Sequence, residues 1–412
     1  MTPAARIQAV IDILGELEKT NQPVDRHLRD WGRAHRFAGS KDRAAIGERI
    51  YAIQRKRAWL AWRMGDGAPR SLVIGSLLDE GDIEPLFSGG GFGPPALSDA
   101  ERATILKPPS GGPPRYVRGE YPEFLEGELQ RAFGDVLPDE MAALQARAPA
   151  DLRVNTLKAT RDDVLAALRS EGYEANETPL SPFGVRIASG EAKLGRSALF
   201  ESGAFEFQDE AAQIAALLCG AKPGMRVLDL AAGAGGKSLA LAALMRNEGE
   251  ITATDIRFDA LVELERRAAR AGATIIRTAK DLQGAFDIVL VDAPCSGTGT
   301  WRRQPELRWR LTLARITEVM TTQDMLLTQA AKHVKPGGRL VYATCSILPS
   351  ENEDRVAAFL ESHRDFAVVP PADIWRESAG AAPPPNLGQF FRASPFSTQT
   401  DGFFTAILER NA

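Results

Sequence analysis

The sequence predicts an α/β protein whose C-terminal half is a doubly wound, mainly parallel sheet, preceded by an all-helical domain and a small α+β domain. Three observations carry this reading. From about Phe207, short apolar runs alternate with helix-like stretches, the pattern of parallel strands joined by right-handed crossovers. In the first 80 residues the apolar positions recur at helical spacing instead. Between these parts, residues 85–114 hold six Gly and seven Pro, which no continuous core element tolerates. At 412 residues the chain is long enough for two or three domains.

The helical part starts at Pro3. Thr2 can cap the first helix and Pro3 suits its first turn, with Ile7, Val10, Ile11, Leu14 and Leu17 on one face over residues 3–20. A second helical pattern runs from Lys41 to Met64 and a third covers Ser71–Leu78. The expected divisions are a helical domain over 1–84, a Gly/Pro-rich linker over 85–116 with a short helix at Ser98–Leu106, and a small α+β domain over 117–205. In that domain Glu123–Phe133 and Arg161–Glu171 read as helices, and Leu152–Leu157 and Gly184–Ile187 as strands. The sheet domain occupies 206–412. Its buried strands are RVLDLA (226–231), ITATDI (251–256), DIVLVDA (287–293) and RLVYATC (339–345).

Composition removes several function classes. No run of 18 apolar residues exists, so no membrane span is expected. The N-terminus carries Arg6, Asp12, Glu16 and Glu18 and has no signal-peptide core, which points to a cytoplasmic protein. Three cysteines, Cys219, Cys295 and Cys345, form no disulfide framework, and their wide spacing is not that of a zinc site. No metal is expected. The formal net charge is −4, yet residues 1–70 hold 14 Lys or Arg against eight Asp or Glu. A basic helical module on an acidic body fits attraction to a phosphate backbone; a solvated charged face is the plainer alternative.

The first sheet strand runs into Asp229-Leu230-Ala231-Ala232-Gly233-Ala234-Gly235-Gly236-Lys237-Ser238, followed by a helical stretch. Glycines at such a turn let the backbone approach a ligand, and the helix N-terminus favours polar groups. A phosphate-binding loop would need glycine where Ala231 stands, and a dinucleotide loop would need glycine at Ser238. A purely structural turn is a third reading. The next strand ends in Asp255, placed to accept from two ribose hydroxyls, and Asp281 stands where a third strand's tip would face an adenine edge. Loop and acids together suit an adenosine without a pyrophosphate, the profile of S-adenosylmethionine.

Cys295 and Cys345 both fall at strand ends, in DAPCSGTGT (292–300) and YATCS (342–346), on the side of an open α/β sheet where ligands bind. A lone cysteine is most often a small buried hydrophobe, and Cys219 keeps that reading. Two at polar, Gly-rich tips point to chemistry.

The stretches VLDLAAGAGGKS, DAPCSGTGT and YATCSILPSENE, with FQDEAAQIAA before them and TDGFF near the C-terminus, resemble the RNA cytosine-C5 methyltransferase family over about residues 120–412. The branch that looks most similar is the bacterial small-subunit rRNA enzymes of the B type. Their N-terminal domain is similar to the antitermination factor NusB, and HRFAGSKDRAAIGERIYAIQRKRAWLAWRM (35–64) resembles its second half. The family's first motif usually reads CAAPGGKT; here Ala231, Gly233 and Ala234 stand in place of its Cys, Ala and Pro.

The resemblance implies a Rossmann-like, S-adenosylmethionine-dependent methyltransferase acting on RNA, expected to be small-subunit rRNA, as a monomer. It implies that Cys345 attacks C6 of cytosine, so that C5 becomes nucleophilic, and that Cys295 assists release. Asp292 is expected to contact the cofactor's amino group or the cytosine's N3 edge, and Lys237 to stabilise charge on the base. Ala231, Ala232, Gly233, Ala234, Gly235, Gly236, Lys237, Asp255, Asp281 and Asp292 are the expected cofactor residues. Trp301, Arg302, Arg303, Arg308 and Trp309 offer stacking faces and cations for RNA; ordinary packing is the alternative. Rival readings are a catalytically inactive RNA-binding or ribosome-assembly factor, a DNA cytosine methyltransferase, against which Cys345 counts, and methylation of tRNA rather than rRNA.

Overall fold

The computed structural model describes every residue except 108, 189–190, 379–382 and 385–386, so that Pro108 of the Gly/Pro-rich stretch lies outside the described residues. The chain forms two compact units. One is Met1–Ala146 with Trp301–Leu311; the other is Arg147–Thr300 with Thr312–Ala412. Among the described residues no helix is long and apolar enough to cross a membrane.

The first unit is helical. Thr2 Oγ1 accepts from the Ala5 N–H at 3.2 Å, and the helix Pro3–Leu17 buries Ile7, Val10, Ile13, Leu14 and Leu17. The pattern over 41–64 is two helices, Ser40–Arg55 and Arg57–Met64. No Gly or Pro marks the break at Lys56. It is served from a distance: the buried Glu120 carboxylate accepts from the N–H groups of Ala58 (2.8 Å) and Trp59 (3.0 Å), which a helix start leaves free. A further helix, Val24–Ala34, escapes the periodicity because it buries only Val24 and Gly32. Within the Gly/Pro-rich stretch, Phe87 and Leu97 are buried in the same apolar cluster as Ile13, Ile50 and Leu72. Ser98 opens the helix Asp99–Leu106 with a reciprocal cap to Glu101.

The second unit holds two sheets. The smaller comprises β1 (Ala150–Val154), β2 (Ala175–Glu177), β3 (Gly184–Ile187) and β4 (Phe205–Phe207), all antiparallel in the order β2-β3-β1-β4. The larger comprises β5 (Arg226–Asp229), β6 (Glu250–Ala253), β7 (Ile276–Thr278), β8 (Phe286–Asp292), β9 (Val334–Thr344), β10 (Phe366–Val369), β11 (Phe391–Ala393) and β12 (Phe403–Arg410). Its order is β10-β12-β9-β8-β5-β6-β7, with β11 on β12. β5 to β9 pair in parallel, while β12 pairs antiparallel with β9 and β10. The four expected strands are thus β5, β6, β8 and β9, and the α/β expectation holds. Sequence order reverses between β5 and β8. Ligands of doubly wound sheets bind outside the carboxyl ends at such a point.

The small sheet is held to the large one by buried polar contacts. Arg153 donates to Gln208 Oε1 (2.5 Å) and to the Gly236 carbonyl (2.6 Å). Asn155 Nδ2 donates to the carbonyls of Gly203 (2.9 Å) and Ala271 (2.7 Å), and Glu206 is paired with Arg267 and Arg270.

Candidate active site

At the tip of β5 the chain turns through Leu230–Gly235 into the helix Gly236–Leu244. Gly235 has φ +79°, and a Cβ there would lie 2.5 Å from Leu264 Cγ, so no side chain fits. Asp229 is fully buried and its Oδ2 accepts from Ser238 Oγ at 2.6 Å. Burial, only partly offset by that bond, raises its carboxyl to about 7. The loop's backbone bonds are made within the unit: Ala232 N–H donates to the Thr254 carbonyl (2.8 Å), and the Ala234 carbonyl accepts from Arg267 (2.7 Å). Lys237, in the first turn of the helix, is buried. Its Nζ lies 2.6 Å from Asp292 Oδ2 and 4.9 Å from the centre of the Phe403 ring.

Beside the tips of β5, β6 and β7 lies a cavity of about 710 Å³. Asp255 and Asp281 line it, together with Leu230, Ile256, Phe258 and Leu282. Asp255 Oδ2 accepts from the Gly233 N–H at 2.8 Å, which ties the glycine loop to the second strand's acid. Both Asp255 oxygens also accept from the exposed Arg257 guanidinium. Burial works against ionisation here, but the hydrogen bonds from Arg257 and Gly233 outweigh it and hold the carboxyl below its usual range. Ile256 is fully exposed and Phe258 65% exposed, so two large apolar side chains face the open cavity. An apolar wall beside an ionised acid and a second carboxylate fits the adenosine of S-adenosylmethionine: a flat ring against the wall, hydroxyl donors to the acid.

The two cysteines meet. Cys295 lies three residues past β8 and Cys345 directly past β9, and their Sγ atoms are 3.4 Å apart. The Cys345 contact and burial push the Cys295 thiol well above its ordinary range. Cys219 is fully buried, its thiol raised by desolvation, and it packs among Ala215, Leu218 and their neighbours as its plain reading expects.

Beneath the sulfurs is a buried polar cluster that sequence reasoning missed. Glu351 accepts from the Ser296 N–H (2.8 Å), the Ser296 hydroxyl, the Ser346 hydroxyl (2.6 Å) and Gln323 Nε2 (3.1 Å). Thr298 Oγ1 accepts from the Ile347 N–H at 3.0 Å. The only sign of it in the sequence is that Ser296, Ser346 and Glu351 stand inside the motif stretches themselves.

The motifs also brace one another. Gly402 N–H donates to the Gly299 carbonyl (2.8 Å), and Gly299 N–H to the Cys345 carbonyl (2.9 Å). A Cβ on Gly299 would come within 2.1 Å of the Gly402 carbonyl oxygen. That close approach explains glycine in both SGTGT and TDGFF. The Asp401 N–H donates to the Asp209 carboxylate, joining TDGFF to FQDE.

The structure therefore brings Cys295 to Cys345, Lys237 to Asp292, and Gly233 to Asp255, and sets Asp255 and Asp281 on one cavity wall. The aromatic and basic run after the PCS motif goes elsewhere. Trp301, Arg302 and Arg308 are buried, and Trp301–Leu311 packs within the helical unit. Arg308 donates to the carbonyls of Glu120 (2.9 Å) and Leu144 (3.2 Å) and lies against the Trp301 ring, and Trp309 Nε1 donates to the Gln54 carbonyl (2.8 Å). Packing accounts for these three side chains.

Comparison with known proteins places the chain in a family. Residues 216–409 match the family model for the 16S rRNA methyltransferase RsmB/F, and residues 121–192 match a RsmF/B-like ferredoxin-like domain. A probable ribosomal RNA small subunit methyltransferase B of Synechocystis sp. is 31% identical over 300 residues, covering 70% of this chain and 67% of that protein. The ribosomal RNA small subunit methyltransferase B of Erwinia tasmaniensis is 28% identical over 397 residues, covering 87% of this chain and 91% of its own. Among solved structures, a methyltransferase homolog protein from Pyrococcus horikoshii is 27% identical with a TM-score of 0.61, covering 72% of this chain and 97% of its own. The chain belongs to the RsmB/F family of S-adenosylmethionine-dependent RNA methyltransferases.

Proposed function

We propose that this protein forms 5-methylcytosine in small-subunit rRNA through a covalent bond between Cys345 and C6 of the target base. The observation that carries the reading is the 3.4 Å separation of two sulfurs at adjacent strand tips, on the sheet side where ligands bind. The names of the relatives supply the rRNA. We assign residues 1–84, with their surplus of Lys and Arg, to anchoring RNA, residues 85–116 to a connection, residues 117–205 to a second RNA-binding element, and residues 206–412 to catalysis. The protein acts as a cytoplasmic monomer.

S-adenosylmethionine, when bound, supplies an electrophilic methyl group. Asp255 and Asp281 would hold its adenosine and the Gly233–Gly236 loop the rest. The base must be splayed from a loop or flipped from a helix to reach the sulfurs. The Cys345 sulfur adds to C6, the C5–C6 electron pair moves to C5, and C5 becomes the nucleophile. After C5 is methylated, solvent water takes its proton, the electrons of that C–H bond restore the C5–C6 double bond, and the C6–S bond breaks with its pair returning to the Cys345 sulfur. Cys295, whose thiol is raised and touches Cys345, assists that elimination by donating a hydrogen bond to the departing Cys345 sulfur. Asp292, held by Lys237 at 2.6 Å, is positioned by that pair to meet the N3 edge of the base, and Lys237 balances charge there.

The test is methyl transfer from labelled S-adenosylmethionine by the full chain to small-subunit rRNA and, separately, to tRNA, with nuclease digestion and nucleoside analysis. 5-Methylcytidine from rRNA is the expected product. Label on any other atom, or none, overturns the reading; label in tRNA alone changes the substrate.

A further inference from the structure

Glu351 has no exposed surface, yet nothing in the covalent chemistry above uses it. It closes the short turn Pro349–Glu351 that follows β9, and its carbonyl accepts from the Tyr342 hydroxyl at 2.6 Å, which fixes its backbone to the strand. Its carboxyl group receives four donors. Two come from Ser296, the residue after Cys295; one comes from Ser346, the residue after Cys345; one comes from Gln323 on the helix Leu313–Ala331. Gln323 also donates to the Pro294 carbonyl at 3.0 Å, on the other side of Cys295. A carboxylate accepts on both oxygens and donates on neither, so it suits a point where donors converge from two loops. An amide would turn one of its two oxygens into a donor facing other donors. Both oxygens of the Glu351 carboxyl group are satisfied, and satisfied buried polar groups rigidify their surroundings.

We propose that Glu351 is the positioning residue of the thiol pair: it ties the loop of Cys295 to the loop of Cys345 and thereby keeps the two sulfurs in contact. The proposal rests on the covalent reading above and adds the group that lets two strand tips, 50 residues apart in the chain, act on one base. The two tethers serve different steps. Ser296 holds the sulfur that assists release, and Ser346 holds the sulfur that attacks. The charge of Glu351 beneath Cys295 also contributes to keeping that thiol protonated.

The test uses the full chain carrying Glu351→Gln, checked for a native melting curve and for cofactor affinity. Its kcat should fall by about 10²-fold, the effect of a misplacement near 1 Å, with KM for RNA unchanged. A second readout needs no turnover. Diamide takes two electrons and two protons from the thiol pair, giving a Cys295–Cys345 disulfide and the reduced hydrazine, and mass spectrometry follows that peptide cross-link. The cross-link should form about tenfold more slowly in Glu351→Gln, because the sulfurs are no longer held together. Wild-type kcat, or an unchanged cross-linking rate, overturns the proposal. If Glu351→Gln does not fold, Ser296→Ala and Ser346→Ala each cut one tether. Ser296→Ala should accumulate protein–RNA adduct, and Ser346→Ala should form it slowly; both slowing the same step would equally overturn it. If no adduct forms in any variant, the covalent reading fails, while the cross-linking rate still judges the tether.

Discussion

The sulfur atoms of Cys295 and Cys345 lie 3.4 Å apart although 50 residues separate them in the chain. Adjacent parallel strands, β8 and β9, deliver the two residues to the same edge. The Cys295 thiol is pushed well above its ordinary range by the Cys345 contact and by burial.

The proposed roles of attack and release give the two cysteines opposite signatures. Cys345→Ala should form no adduct with RNA and show no turnover. Cys295→Ala should attack, transfer the methyl group and stall, leaving protein joined to RNA. A denaturing gel of each variant with substrate and cofactor reads the outcome. An adduct in Cys345→Ala with none in Cys295→Ala would exchange the roles; full activity in both would make the pair structural.

Asp255 joins the glycine loop to the cavity that fits adenosine. Asp255→Ala removes a charged acceptor and should weaken S-adenosylmethionine about 10- to 100-fold. Calorimetry on the folded variant checks this. Arg257 is exposed and already pairs with Asp255, and such surface pairs contribute little, so Arg257→Ala should change affinity by no more than about fivefold. Unchanged affinity in Asp255→Ala would remove the carboxylate from the cofactor site.

Asp229 titrates near 7 in the folded chain because burial outweighs its bond from Ser238, against an ordinary value of 3.8. The native state thus keeps a proton that the unfolded chain has released. Stability contributed by this group is full at acid pH and is lost as pH rises through 7. Asp229→Asn has nothing to titrate. Between pH 5 and 8 the wild type should lose about 2.5 kcal/mol relative to that variant. Urea midpoints of both proteins across the range measure it, and parallel curves would refute the assignment.

The surplus of Lys and Arg in residues 1–70 is tested best by substitution. Removing residues 1–84 would strip partners from Trp309 and Glu306, which bond to Gln54 and Val24. Arg26, Arg29, Arg36 and Lys41 are exposed, and changing all four to Gln leaves the core intact. RNA affinity should fall, and its dependence on salt should flatten by about 0.7 in log–log slope for each phosphate that is no longer neutralised. Cofactor binding should be untouched. Unchanged affinity and slope would make this face a solvated surface.

The sequence by itself determined the sheet and the residues that stand at its strand tips. β5, β8 and the second half of β9 are mostly buried and read as apolar runs, β6 buries Ile251 and Ala253 in alternation, and the residues at or after their tips could be named: Lys237, Asp255, Asp292, Cys295 and Cys345. A tip is local to its strand, and local order is what a sequence displays. The strands β10 and β12, the break at Lys56 and the cluster around Glu351 were not legible. Each depends on groups brought from far along the chain: Glu120 caps a helix 62 residues before it, and Glu351 serves a serine 55 residues before it. The run from Trp301 to Trp309 shows the same limit from the other side. Its aromatic and basic residues suit RNA by type, but burial against the helical unit decides what they touch, and burial is a property of the folded chain alone. Only the tertiary structure could set two sulfurs 3.4 Å apart, because that distance depends on β8 and β9 being neighbours in the sheet, and strand order is not written in the spacing of the motifs.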